Sequence, residues 1–166
     1  TPCSTDYVST KPENIISHLT GHEGPGSILS RLKKENLATE LVSWHENYSF
    51  AGFFHFTIYL TEQGFSQIPK VLGIFFSYVQ ILKQSKLPSY VIEEKKHMAQ
   101  VNFQYKEPRE GGGFTSYLAS KMHHYPATQI EQYVALIPER NEDHEALFLS
   151  CIEPEKMTLF IQAKDM

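Results

Sequence analysis

An α+β fold, with helices layered on a mostly antiparallel sheet, is predicted by three features of the 166-residue sequence. Apolar residues alternate from Phe53 to Leu60, an apolar stripe at helical spacing runs from Ile68 to Leu82, and the strand-like runs precede a block of helices instead of alternating with it. Helices then collect on one side of a sheet built from neighbouring strands. With 41% hydrophobic and 13% aromatic residues, the chain suits one domain with a sizeable core, and two would be cramped.

Residues 1–11 are polar and turn-rich and are expected as a loosely held leader to a single domain over 12–166. Pro12 suits the first turn of a helix carrying Ile15, Ile16 and Leu19, and Gly21 suits its stop. Gly24-Pro25-Gly26 forms a hinge, after which Ser27 caps a second helix with Ile28, Leu29 and Leu32, closed by Lys33 and Lys34 at its negative end. Thr39 to Ser43 is β-compatible. In the next strand Phe54, Phe56, Ile58 and Leu60 share one face. The opposite face, with Phe53, His55, Thr57 and Tyr59, is too apolar to be fully wet, so partial cover is expected.

Thr61 and Gly64 end that strand, and a long helix buries Ile68, Val71, Leu72, Phe75, Val79 and Leu82. Pro88 breaks it, and a further helix is expected from about Ser89 to Tyr105, with Ile92, Lys95, Ala99 and Phe103 inward or along its rim. Gly111-Gly112-Gly113 reads as a joint, Tyr117, Leu118 and Met122 mark a helix that stops before Pro126, and two short helical pieces follow. Alternation over Met157–Gln162 predicts a closing strand.

Several function classes are excluded at this point. Net charge is −4, and basic pairs such as Lys33-Lys34 and Lys95-Lys96 fit solvated helix faces, so nucleic acid is not an expected partner. Apolar runs stop well short of the roughly 18 residues of a spanning helix, no secretory signal pattern opens the chain, and no membrane partner is expected. Cys3 and Cys151 form no metal or disulfide framework, which favours a reducing, cytoplasmic location. A start at Thr1 without Met suggests a piece of something longer.

Catalytic constellations are missing too. His22-Glu23, His45-Glu46 and His144-Glu145 each lack the third residue of a His-Glu-x-x-His or His-x-x-Glu-His zinc helix. His18 and His22 are one turn apart, but Gly21 lies between them and no third ligand is in register. Cys151 sits in an apolar run, where a thiol is inert. His123-His124 reads as a helix end, and the glycine triplet follows a helix, the wrong context for a phosphate loop. No catalytic or metal-ligating residue, and no cofactor, is assigned to this chain.

The informative segment is His18-Leu19-Thr20-Gly21-His22-Glu23-Gly24-Pro25-Gly26-Ser27-Ile28-Leu29. Glycine and proline at this density serve a tight turn or close approach by another chain. An edge strand near Leu41 to Ser43 could accept a peptide by backbone hydrogen bonds, and a carboxylate such as Glu23 could receive its terminal ammonium. The run Gly21 to Ser27 resembles, residue for residue, one in the second domain of the insulinase (pitrilysin) family of zinc metallopeptidases. The resemblance continues through Tyr59-Leu60-Thr61-Glu62-Gln63-Gly64, the Phe75 to Leu82 helix, Phe103 to Glu107, Thr115-Ser116, His124-Tyr125-Pro126 and Glu153 to Met157, and so covers nearly everything after Pro12.

This resemblance implies a noncatalytic domain of a longer zinc metalloendopeptidase, with the zinc in a neighbouring catalytic domain of the same parent chain. It also implies a share in the wall of a degradation chamber and an exosite that anchors the N-terminal segment of peptide substrates. Carried over by position, the exosite comprises His18, Gly21 and Glu23 in the loop and Leu41, Ser43 and His45 on the strand. Two departures stand out: Ser43-Trp44 replaces a glycine pair usual in the family, and the leader lacks the family's opening strand. A purely structural module, whose loop shapes the interdomain contact and binds no peptide, is the alternative.

Overall fold

The computed structural model describes residues 1–48, 50–85, 87–107, 111–125, 127–137 and 139–163. Helix α1 spans Pro12–Thr20 and α2 spans Ile28–Lys34. The Ser27 hydroxyl accepts from Ser30 N–H at 3.1 Å, the cap its position predicts. Strands β1 (Ala38–Asn47) and β2 (Gly52–Leu60) form an antiparallel hairpin, so the first strand runs well past the Thr39–Ser43 segment expected. Glu62–Ser66 (α3) and Ile68–Gln84 (α4) follow, with Thr61 capping α3 through its hydroxyl, 3.0 Å from Gly64 N.

The second half is helical. Helices α5 (Ser89–Gln104), α6 (Gly112–Lys121), α7 (Ile130–Ala135) and α8 (Glu142–Ser150) complete the layer, joined to the hairpin side by packing of α8 on α1 and α4. Gly111 has φ +80, and Gly112 and Gly113 already belong to α6, so the triplet starts that helix instead of making a slack joint. Pro126, expected to end α6, lies outside the described residues, and α6 itself ends at Lys121.

One core unites the hairpin with α1, α2, α4, α5 and α8. Ile15, Ile16, Ile28, Leu29, Leu32 and Phe148 are all 0–1% exposed and pack with Val71, Phe75, Val79 and Leu82 of α4. The inner face of β2, Phe54, Phe56, Ile58 and Leu60, lies against this core, as its alternation predicts. On the outer face, where partial cover was expected, His55 and Thr57 are half-buried, His55 under the Trp44 ring, while Phe53 and Tyr59 are exposed.

Three expectations need correction. Residues 1–11 are not a loose leader: Ser4–Tyr7 forms a 3-10 helix, Tyr7 meets His144 and Phe148 edge-on, and Thr10 and Lys11 are buried. Polar composition hid this because the buried polar groups find their partners far along the chain, Lys11 Nζ donating to Val134 O at 2.9 Å and also to Leu136 O. The closing strand over Met157–Gln162 does not form: among the described residues the sheet has only β1 and β2, and Phe160 is 88% exposed. Alternation sets which way side chains point, but a strand also needs a neighbour to pair with. Cys151 is half-buried, less enclosed than its apolar context predicts.

Candidate functional site

Which backbone groups the hairpin leaves free follows from its register. In an antiparallel ladder, hydrogen-bonded and non-hydrogen-bonded residue pairs alternate. Gly52 spends both its backbone groups on Thr1, donating to Thr1 O at 3.0 Å and accepting from Thr1 N at 2.8 Å, so it bonds away from β1. Its partner across the hairpin is Asn47. Stepping back by twos, His45–Phe54, Ser43–Phe56 and Leu41–Ile58 are the non-hydrogen-bonded pairs, and the N–H and C=O of Leu41, Ser43 and His45 point to the outer edge of β1. Among the described residues no backbone group of another segment bonds to them.

The end of α1 lies beside this edge. A methyl placed on Gly21 would stand 3.2 Å from Ser43 Cβ, 3.5 Å from Ser43 N and 3.1 Å from Ser17 O. Buried Thr20 lies 2.8 Å from Ile16 O and 2.8 Å from Ser43 Oγ. Its own proton goes to Ile16, as a helical hydroxyl's usually does, so Ser43 is the donor to Thr20. Thr20 thereby ties β1 to the helix, and nothing in its sequence context marks it for that role.

The remaining predicted residues differ in depth and in neighbours. Glu23 is exposed in the turn after Gly21, with Lys33 Nζ 3.8 Å from its carboxylate. His18 is half-buried and its ring stacks on His22 at 6.1 Å; burial, then Lys95, lowers its pKa. Leu41 offers only backbone, its side chain being 3% exposed in the core. The His45 ring also turns inward, edge-on to Phe54 at 4.9 Å, with Nε2 3.0 Å from Thr1 Oγ1. Burial presses its pKa to about 4, so it is neutral at physiological pH and cannot supply a cation.

Among the described residues no three His, Cys, Asp or Glu side chains gather to hold a metal ion, and His18 with His22 lacks a third donor. The site therefore offers backbone hydrogen bonds, one carboxylate and no reactive group. The sequence profile of the peptidase M16 inactive domain matches residues 2–99. This chain belongs to the M16, or insulinase, peptidase family.

Within that family it is a noncatalytic domain, as the matched profile is the inactive one. The insulin-degrading enzyme of Mus musculus is 32% identical over 160 residues, covering 95% of this chain and 16% of its own length. The A-factor-processing enzyme of Saccharomyces cerevisiae is 33% identical over 119 residues, 71% of this chain and 12% of that protein. The crystal structure of pitrilysin superposes with a TM-score of 0.85 at 18% identity, over 93% of this chain and 17% of that one, and shares the fold. The M16 domain described here thus spans about 16% of the length of the insulin-degrading enzymes it matches. None of the described helices is long and apolar enough to cross a membrane.

Proposed function

We propose that this M16 domain serves a zinc-dependent metalloendopeptidase as part of its chamber wall and as the anchor for the N-terminal segment of peptide substrates. The observation that carries the anchor is the outer edge of β1, where Leu41, Ser43 and His45 present unspent backbone groups next to Gly21. An extended peptide adds to such an edge as a further strand. Glu23, exposed two residues beyond Gly21, receives the terminal ammonium, and His18 stands three residues before Gly21 on α1, stacked on His22. The relatives' names, insulin-degrading and A-factor-processing, support peptides as the substrate class. Zinc then belongs to the neighbouring catalytic domain of the parent chain, and a cytoplasmic setting fits the low cysteine content.

Calorimetry with a short unstructured peptide, free or N-acetylated, tests the anchor. Saturable binding that needs the free amine and is weakened in Glu23→Gln is the expected result. A folded sample that binds neither peptide would leave the purely structural module, in which Gly21 and Thr20 only fasten α1 to Ser43.

A further inference from the structure

The outer face of the hairpin carries chemistry that backbone anchoring leaves unused. Val42, Trp44 and Glu46 of β1 stand opposite Thr57, His55 and Phe53 of β2. Trp44 is 39% exposed and Phe53 44%, and Phe50 at the tip packs on Tyr48 at 5.8 Å and on Phe53 at 6.4 Å. In the middle lies the Glu46 carboxylate. It accepts from Tyr48 Oη at 2.9 Å and from Trp44 Nε1 at 3.4 Å. His55 Nε2 is 3.5 Å away, and among the described residues no lysine or arginine pairs with Glu46. From Ala38 to Leu60 the sequence contains Glu40 and Glu46 and no Lys or Arg at all.

We infer that this face selects a lysine or arginine side chain of the peptide anchored on the edge of β1. The inference rests on the anchoring proposed above. A strand bonded to the backbone of Leu41, Ser43 and His45 makes non-hydrogen-bonded pairs with Val42 and Trp44, where side chains approach most closely, with Cα atoms about 4.5 Å apart. Those peptide residues project onto the outer face. His55 stacks flat on Trp44, 5.0 Å away at an interplanar angle of 10°, and it occupies the β2 side of the indole. The opposite ring face therefore looks toward the incoming strand.

A side chain there meets the indole and, diagonally, the Glu46 carboxylate. A cation gains from both, because an aromatic face attracts it and the carboxylate pairs with it; a guanidinium can stack and bond at once. A neutral aliphatic chain gains only the packing. The donors from Trp44 and Tyr48 hold the carboxylate in place before the peptide arrives.

The test moves a single Arg through successive positions of a neutral, free-amine peptide with a C-terminal fluorophore, read by fluorescence anisotropy on the full chain. Affinity should rise roughly tenfold at alternate positions only, since every second side chain reaches the outer face. The gain should shrink to the indole's share in Glu46→Gln, which leaves the neutral peptide's affinity unchanged, and Glu46→Lys should favour Glu at those positions. Circular dichroism checks that both variants fold. A uniform gain at all positions, or one undiminished in Glu46→Gln, overturns the inference while amine-dependent binding of the neutral peptide preserves the anchor. No binding of any peptide to the folded chain overturns both.

Discussion

Gly21 lies tight against Ser43: a methyl would approach Ser43 Cβ to 3.2 Å and the Ser17 carbonyl oxygen to 3.1 Å, so both would have to give by a few tenths of an ångström. Its φ of −88° is open to any residue, so the requirement is space and not backbone conformation. Gly21→Ala should cost about 1 kcal/mol of stability by crowding. It should also weaken peptide binding more than that loss explains, because the methyl stands 3.5 Å from the Ser43 N–H that faces the free edge. Urea denaturation beside anisotropy separates the two effects.

Gly64 is the more severe case. A methyl there would meet the carbonyl oxygen of Leu37 well inside contact distance, and that oxygen already accepts from Thr61 N–H at 3.1 Å. Backbone cannot rotate aside as a side chain tip can. Gly64→Ala should therefore destabilise by about 3 kcal/mol, at the top of the range for overpacking, with a lowered urea midpoint.

Arg140 holds the buried Glu145 with a two-pronged contact, Nε to Oε1 at 3.1 Å and Nη2 to Oε2 at 3.3 Å, and Nη2 also donates to Leu87 O at 3.0 Å. Glu145 is 4% exposed. Removing the guanidinium leaves a carboxylate without its counter-charge, so Arg140→Ala should cost about 3 kcal/mol. Arg140→Lys should recover only part, as an ammonium cannot span both oxygens and the carbonyl in one plane. Thermal melts of the three proteins give the order wild type, Lys, Ala.

Much of this was legible in the sequence wherever one physical rule decides the outcome. The stripe Val71, Phe75, Val79, Leu82 predicts α4, Ser27 predicts the cap of α2, and alternation predicts both faces of β2. The Gly21–Ser27 run and its continuation carried the family, and with it the noncatalytic assignment. Illegible were features that depend on a distant partner. Tyr7 looks solvated until Phe148 arrives from far along the chain, Met157–Gln162 alternates without a neighbour to pair with, and His45 turns inward because even positions of β1 face out. The edge presented by Leu41, Ser43 and His45 needed the register, which Thr1 and Gly52 reveal.

Glu13 and Lys11 give the fold an unusual pH response. Burial raises the Glu13 pKa to about 7, against the opposing influence of its backbone hydrogen bond and of Lys11, and Glu13 Oε2 has no hydrogen-bond partner among the described residues. An acid whose folded pKa lies above its unfolded value binds more protons when folded, so its contribution is greatest below about 4.5 and is lost as pH rises through about 7. Lys11 is lowered to about 8, also by burial; its contribution is present above about 10.5 and is lost as pH falls through about 8. At pH 7.5 both groups therefore weigh against the folded state. Glu13→Gln removes the carboxylate's part. Relative to wild type it should gain stability at pH 7.5, by about 1 kcal/mol or more, and the gain should shrink steadily toward pH 4.5. Urea midpoints at several pH values for both proteins provide the comparison, in which exposed carboxylates such as Glu35 and Glu153 cancel. A pH-independent difference would mean that the Glu13 carboxyl is as easily ionised in the fold as in the unfolded chain.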